Sequence, residues 1–414
     1  MAGFAGLPLL SLLAPFLLLP LLARVGGQEG WAAVLLGQSA GGLGAVVAGL
    51  GWGLVGPVAV ARADAAQRRE VYARSLASRG VVVAVAMPVC ALVAAALSEE
   101  GHRWTAAAMS TAMVVGALSP SWFSIGIGRP SAIAVFEILP RLVAIGLSAV
   151  LVLTTQQLWT YPALLALATA AGTWAYGRRV VGVRARQVLA VRAWAEVWRT
   201  RAASGTVAVG GSYSQTPLLV AGVVVSDVGL LASFGSADRL YRLSLTAVQA
   251  LTSALQGWVA ERPVLPGERT TRRMRAGLAL HAALGAAGLV GFSLLGPWLS
   301  GLLFTEELAA DRAVSVLVGV AFLAVSLNTA LGRLVLVPLG ATGTVFTSTL
   351  VGAVVGLVGM VGAGAVWGTT GVAAGFALSE VAVTGYQAWA VLRRTALEGP
   401  ARHGPTAESP GSEA

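Results

Sequence analysis

The chain contains no lysine; all 28 of its basic residues are arginine. A Walker A loop needs its lysine for the nucleotide phosphates, so an ATPase of that kind is excluded, and ATP with it. Cysteine occurs once, as Cys90 in an apolar run, which rules out an internal disulfide and a cysteine-based metal cluster. The three histidines, His102, His281 and His403, are scattered and suggest no ligand set. No metal, resident cofactor or nucleic-acid partner is therefore expected. Charge is also scarce: 11% of residues are charged, against about 25% in a soluble domain.

Apolar runs replace the missing charge. Many approach 20 residues, roughly the length needed to cross about 30 Å of hydrocarbon. Twelve such spans can be counted, at about 4–23, 33–60, 80–97, 105–126, 132–154, 161–176, 205–225, 231–260, 276–300, 313–337, 342–366 and 370–392. The first lacks a positively charged lead-in and is too long for a signal-peptide core, so it reads as a transmembrane helix. The missing polar lead-in also points to a start a few residues further upstream. The fold class expected is an all-α polytopic membrane protein, with about twelve transmembrane helices in two six-helix lobes around a central cavity.

Arginine placement orients the chain. Segments after even-numbered spans hold 21 arginines, and those after odd-numbered spans hold Arg24, Arg103 and Arg312. The positive-inside rule then puts both termini in the cytoplasm. The pattern repeats at an offset of about 200 residues: the basic segments 61–79 and 261–275 follow spans two and eight. Parallel halves of this kind place a cargo site between them. The divisions expected are an N-terminal lobe 1–176, a basic linker 177–204, a C-terminal lobe 205–392 and a disordered tail 393–414. In the linker, Val188, Val191, Trp194 and Trp198 share one helical face, and Arg192, Glu196 and Arg199 another. A short amphipathic helix on the anionic inner leaflet is expected there. Trp31, Trp104, Trp122, Trp159, Trp258 and Trp298 lie near span ends and read as interfacial anchors. No outward loop exceeds about ten residues, which leaves no room for a catalytic domain, so the chain is not expected to be an enzyme.

Four arginines remain inside spans: Arg141, Arg239, Arg242 and Arg333. Ionisable residues at membrane depth are costly and mark polar pathways. Glu137 with Arg141, and Asp238 with Arg242, are four residues apart and face the same way on a helix, so each can form an intrahelical ion pair. Arg239 and Arg333 have no such acid. Glu380 is an unpaired acid on span twelve that can meet one of them across the lumen. Arg333, near the cytoplasmic end of its span, can snorkel to the interface. Four cations against three acids make the lumen modestly cationic, which points to an anionic cargo. Arginine suits phosphate because its planar fork donates paired hydrogen bonds and stays charged. Pro15, Pro20, Pro57, Pro88, Pro120, Pro140 and Pro217 lie in or near spans, where proline can hinge a helix or be tolerated.

Three stretches carry a resemblance. The opening LAPFLLLPLLARVGGQEGWAAVLLGQSAGG, with its turn from Pro20 to Gly26, is similar to the start of the Wzx-type oligosaccharide flippases. LSPSWFSIGIGRP resembles their signature closing the fourth helix, here Pro120, Trp122, Phe123 and Gly126. ASFGSADRLYRLSLTAVQAL resembles the start of their eighth helix. That family belongs to the multidrug/oligosaccharidyl-lipid/polysaccharide (MOP) transporter superfamily. The resemblance implies a transporter of the bacterial cytoplasmic membrane that flips a polyprenyl-diphosphate-linked oligosaccharide, a capsule or lipopolysaccharide precursor, by alternating access. It implies the lipid bilayer and polysaccharide assembly enzymes as partners. Arg141, Arg239, Arg242 and Arg333 would bind diphosphate. Glu137, Asp238 and Glu380 would balance charge or carry a coupling proton or sodium ion. A lipid II flippase, a cation-coupled drug exporter and a membrane-embedded saccharide polymerase stand as alternatives.

Overall fold

The computed structural model describes residues 2–260 and 268–397. The expected disordered tail, 393–414, is helical as far as 397; the rest of it, and 261–267 of the basic segment 261–275, lie outside the described residues. Among the described residues there is no strand. In lipid the backbone must satisfy its polar groups internally, and continuous apolar runs of this length do so within helices. Among the described residues, twelve long helical stretches result, with several shorter helices between them. The twelve are α1 (2–26), α2 (28–48), α3 (Ala65–Ala96), α4 (Arg103–Gly116), α5 (Pro130–Thr155), α6 (Thr160–Tyr176), α7 (201–224), α8 (Val228–Ala260), α9 (Glu268–Leu303), α10 (Arg312–Leu336), α11 (342–366) and α12 (369–397). Among the described residues, seven stretches are long and apolar enough to cross a membrane, two of them kinked hairpins that join α1 to α2 and α11 to α12.

Each hairpin turns on one glycine. Gly27 has φ 57° and ψ −158°, and Gly368 has φ 57° and ψ −136°. That region is essentially closed to residues with a Cβ. A methyl group at Gly368 would meet no neighbour within 4 Å, so only the torsional cost applies. Gly368→Ala is expected to destabilise the protein by about 1–3 kcal/mol. The unfolding midpoint in detergent reports it, and an unchanged midpoint would rule out strain at this turn.

The first six helices pack on one another, with α4 against α1–α2, α3 and α6, and α5 against α6. The last six do the same, with α10 against α9 and the α11–α12 hairpin, and α7 against that hairpin. The lobes meet where α2 crosses α7 and α8. Trp31 is wholly buried in this seam. Its indole N–H donates to Ser236 Oγ on α8 at 3.1 Å, and its ring lies 4.9 Å from that of Phe304. Trp122 is buried as well, against Trp52 and Phe123. Neither is the interfacial anchor its position near a span end suggested, because each has an aromatic partner inside the bundle. Trp104, Trp159 and Trp298 are exposed on the helical surface.

Helix breaks shift several sequence boundaries. The second span is α2 and a separate helix, Trp52–Ala61, divided at Leu50 and Gly51, both with positive φ. The fourth is α4 followed by Ser121–Gly126, with Pro120 at the new start. Pro57 and Pro88 lie inside continuous helices and break nothing. The segment 61–79 is not a loop. Asp64 accepts from the amides of Ala66 and Gln67 in a capping box, so α3 starts at Ala65 and carries Arg68, Arg69, Arg74 and Arg79, while Arg62 caps the helix before it. The linker forms two short helices, Ala185–Leu189 and Ala193–Arg199, rather than one. Val188, Val191 and Val197 pack inward while Trp194 and Trp198 are exposed, so the expected apolar face is split between protein and surroundings.

Candidate functional site

Pro217 lacks an amide hydrogen, and α7 divides ahead of it into Arg201–Tyr213 and Thr216–Val224. The carbonyl of Ser214 is left in the gap. Arg242, on the facing helix α8, occupies it: Nη2 donates to Ser214 O at 2.8 Å and Nη1 to Gln215 Oε1 at 3.2 Å. Its Nε donates to Asp238 Oδ2 at 2.6 Å, the ion pair that the four-residue spacing allows. Three partners on two helices thus hold the guanidinium in one orientation.

Arg242 stands between two cavities. The first, of about 250 Å³, is lined by Arg141, Arg239 and Arg242 with Gln38, Gln215 and Tyr161 among its polar groups, and by apolar side chains including Leu19, Met109 and Leu165. No acid lines it. Its walls come from both lobes, with Arg141 and Tyr161 from α5 and α6 and Arg239 and Arg242 from α8. The paired acids stand back from this surface. Glu137 lies 3.7 Å from Arg141 and also accepts from Ser119 Oγ at 2.8 Å, and Asp238 lines the second cavity. The cavity wall is therefore more cationic than a count over whole spans suggests. Arg239 Nε and Gln38 Oε1 are buried there without hydrogen-bond partners. A buried donor left unmade is costly, and an anion with acceptor oxygens would satisfy Arg239.

The second cavity, of about 320 Å³, lies within the C-terminal lobe. Asp238, Arg242, Asn328, Arg333, Glu380 and Gln387 line it. Arg333 sits in a π-helical turn, Leu331–Leu336, and projects into this space rather than beside the other three arginines. Glu137 also sits in a π-turn, Ala134–Ile138; such bulges recur at functional positions. Glu380 does not meet an arginine: the Nδ2 of Asn328 donates to its Oε2 at 2.9 Å. The reason is register, since Asn328 on α10 faces Glu380 on α12 directly. Asn328 is the only asparagine in the chain. Among the described residues, no group of three His, Cys, Asp or Glu side chains could hold a metal ion.

The sequence reading missed Gln38, Gln215, Tyr161 and Asn328. Their signal was present, as amides and a phenol inside apolar spans. It also missed Arg79, assigned to a loop. Arg79 is 2% exposed, and its Nη1 donates to the carbonyls of Ala117 at 2.7 Å and Ser119 at 3.0 Å, where α4 breaks.

No protein-family model matches this sequence, and no curated protein matches it either. Solved structures do. An inward-facing multidrug resistance MATE family transporter of the MOP superfamily matches with TM-score 0.67 and 18% identity, over 94% of this chain and 95% of that one. The lipid II flippase MurJ in its inward closed conformation matches with TM-score 0.75 and 11% identity, over 95% and 88%. A MOP superfamily transporter from Pyrococcus furiosus, described as having a binding pocket of reversed polarity, matches with TM-score 0.52 and 18% identity, over 96% and 94%. At these identities the likeness establishes the fold. The chain is a multi-pass membrane protein with the helical architecture of the MOP-superfamily transporters.

Proposed function

We propose that this chain is a flippase that carries a polyprenyl-diphosphate-linked oligosaccharide across the bacterial cytoplasmic membrane by alternating access, with both termini in the cytoplasm. The observation that carries this reading is the acid-free cavity wall with three arginines from both lobes, one of them with an unpartnered buried Nε. A diphosphate entering hydrocarbon loses its hydration, a loss that fixed guanidinium groups can offset. The lipid tail stays in the bilayer while the head group passes between lobes 1–176 and 205–392. Arg141, Arg239 and Arg242 hold the phosphates, and Arg333 adds a cation to the second cavity. Asp238 and Glu137 orient their arginines, and Glu380 with Asn328 offers a place for a coupling proton or sodium ion. The cargo crosses without any bond made or broken.

A lipid II flippase is the second reading, favoured by the match to MurJ at TM-score 0.75. A cation-coupled drug exporter is disfavoured by the charge of the cavity. The test uses purified protein in proteoliposomes. Labelled polyprenyl-diphosphate oligosaccharide should become accessible on the far side only with the protein present, and a cationic dye should not move. Lipid II as the sole cargo would select the second reading; transport of the dye alone would overturn both.

A further inference from the structure

We propose that the junction of α6 with the inter-lobe linker is a binding site for one anionic glycerophospholipid, separate from the cargo path. Helix α6 ends in a π-turn, Gly177–Val181, and the chain reverses at Gly182, φ 73°. The reversal lays the short helix Ala185–Leu189 along α3. Between them lies a groove of about 260 Å³, walled by Leu76, Trp174, Val183, Val188 and Leu189, with Arg178 at its rim. Two of these apolar side chains are left bare: Leu189 is 84% exposed and Trp174 67%.

Apolar surface of this kind is suited to hydrocarbon or to a partner. The charge beside it says which. Arg178 lines the groove, and Arg179, Arg184 and Arg186, next to its wall residues in the chain, are exposed like it. Arg178 lies over the Trp174 ring at 5.7 Å, which orients its guanidinium at the mouth. Between 177 and 204 there are seven arginines and a single acid, Glu196, and that acid is buried and paired with Arg199 at 3.1 Å. Among the described residues, none of Arg178, Arg179, Arg184 and Arg186 forms an ion pair. Farther along the linker, Trp194 and Trp198 are exposed, with Arg201 4.8 Å over the Trp198 ring. This is the pattern of a segment seated at head-group level. The groove takes part of one acyl chain, and Arg178 with Arg184 and Arg186 takes the phosphate and the anionic head group.

Native mass spectrometry of the full chain tests this, with phosphatidylglycerol and phosphatidylcholine as probes. One phosphatidylglycerol should be retained in preference to phosphatidylcholine. Arg178→Gln, Arg184→Gln and Arg186→Gln together should weaken that retention at least about tenfold, since each basic residue near an anionic surface adds to attraction, and leave phosphatidylcholine unaffected. Phosphatidylglycerol with brominated chains should also quench part of the tryptophan emission, a part lost in Trp174→Phe; this second measurement stands if the triple variant does not fold. Equal retention of the two lipids, or quenching unchanged by Trp174→Phe, would overturn the site. Competition by a polyprenyl-diphosphate lipid but not by phosphatidylglycerol would instead make the groove a cargo entry and overturn the proposal. Failure of cargo transport would leave these binding results untouched.

Discussion

Arg239→Ala is expected to slow transport of the lipid-linked saccharide about 10- to 100-fold while leaving the amount of folded protein unchanged. The reason is the position of Arg239. It lines the first cavity, no acid is paired with it, and its Nε has no hydrogen-bond partner. Removing it strands no carboxylate. A hydrogen bond to a charged group is worth about 1.5–3 kcal/mol, which sets the size of the loss. Arg242→Ala differs in kind. It strands Asp238, 7% exposed, and frees Ser214 O and Gln215 Oε1, so less folded protein should accompany the loss of transport. The neutral pairs Asp238→Asn with Arg242→Gln, and Glu137→Gln with Arg141→Gln, separate the two roles. Folding should recover in both and transport in neither. The measurements are initial translocation rates in proteoliposomes and the monodisperse fraction after gel filtration. Wild-type rates in Arg239→Ala and in both neutral pairs would remove the arginines from the mechanism.

Arg79→Ala should cause a large loss of stability, about 2–4 kcal/mol from two part-buried carbonyls left without their donor. The Arg79 guanidinium donates to Ala117 O and Ser119 O at the break in α4, its Nε donates to Ser75 O, and it lies 5.7 Å from the Trp122 ring. Ser119 Oγ in turn donates to Glu137, the partner of Arg141, so the effect should reach the cavity as well. A residue on a solvated loop, where the sequence alone placed Arg79, would change stability by about 0.5 kcal/mol or less. The two placements are therefore distinguished by the unfolding midpoint in detergent. Arg79→Lys should recover only part of the loss, because a single ammonium can stand in for Nη1 at the two carbonyls but not also for Nε at Ser75 O. A midpoint within error of wild type for Arg79→Ala would contradict the buried arrangement.

Much of the architecture could be read without coordinates. Helical class and membrane crossing follow from transfer of apolar runs out of water, and that depends on composition and length alone. The ion pair of Asp238 with Arg242, and that of Glu137 with Arg141, follow from a four-residue spacing, which is local helix geometry. The solitary state of Arg239 follows from the same spacing rule. None of these needs knowledge of a neighbouring helix.

Tertiary structure decided the rest. Arg333 and Arg239 look alike in sequence, as unpaired arginines in spans, yet they line different cavities, because the rotation of α8 and α10 about their axes is set by packing. Glu380 meets Asn328 rather than an arginine for the same reason. Trp31 became a seam between lobes and Trp122 a core residue, since burial depends on which helix lies alongside, not on distance from a span end. Arg79 is the clearest case. Its place in the sequence predicts a basic loop, but the capping box at Asp64 starts α3 earlier, and the break in α4 leaves carbonyls within its reach. Hydropathy measures the cost of a residue in lipid. It carries no information on the hydrogen-bond partner that cancels that cost, because the partner lies 38 to 40 residues away and is brought close only by the fold.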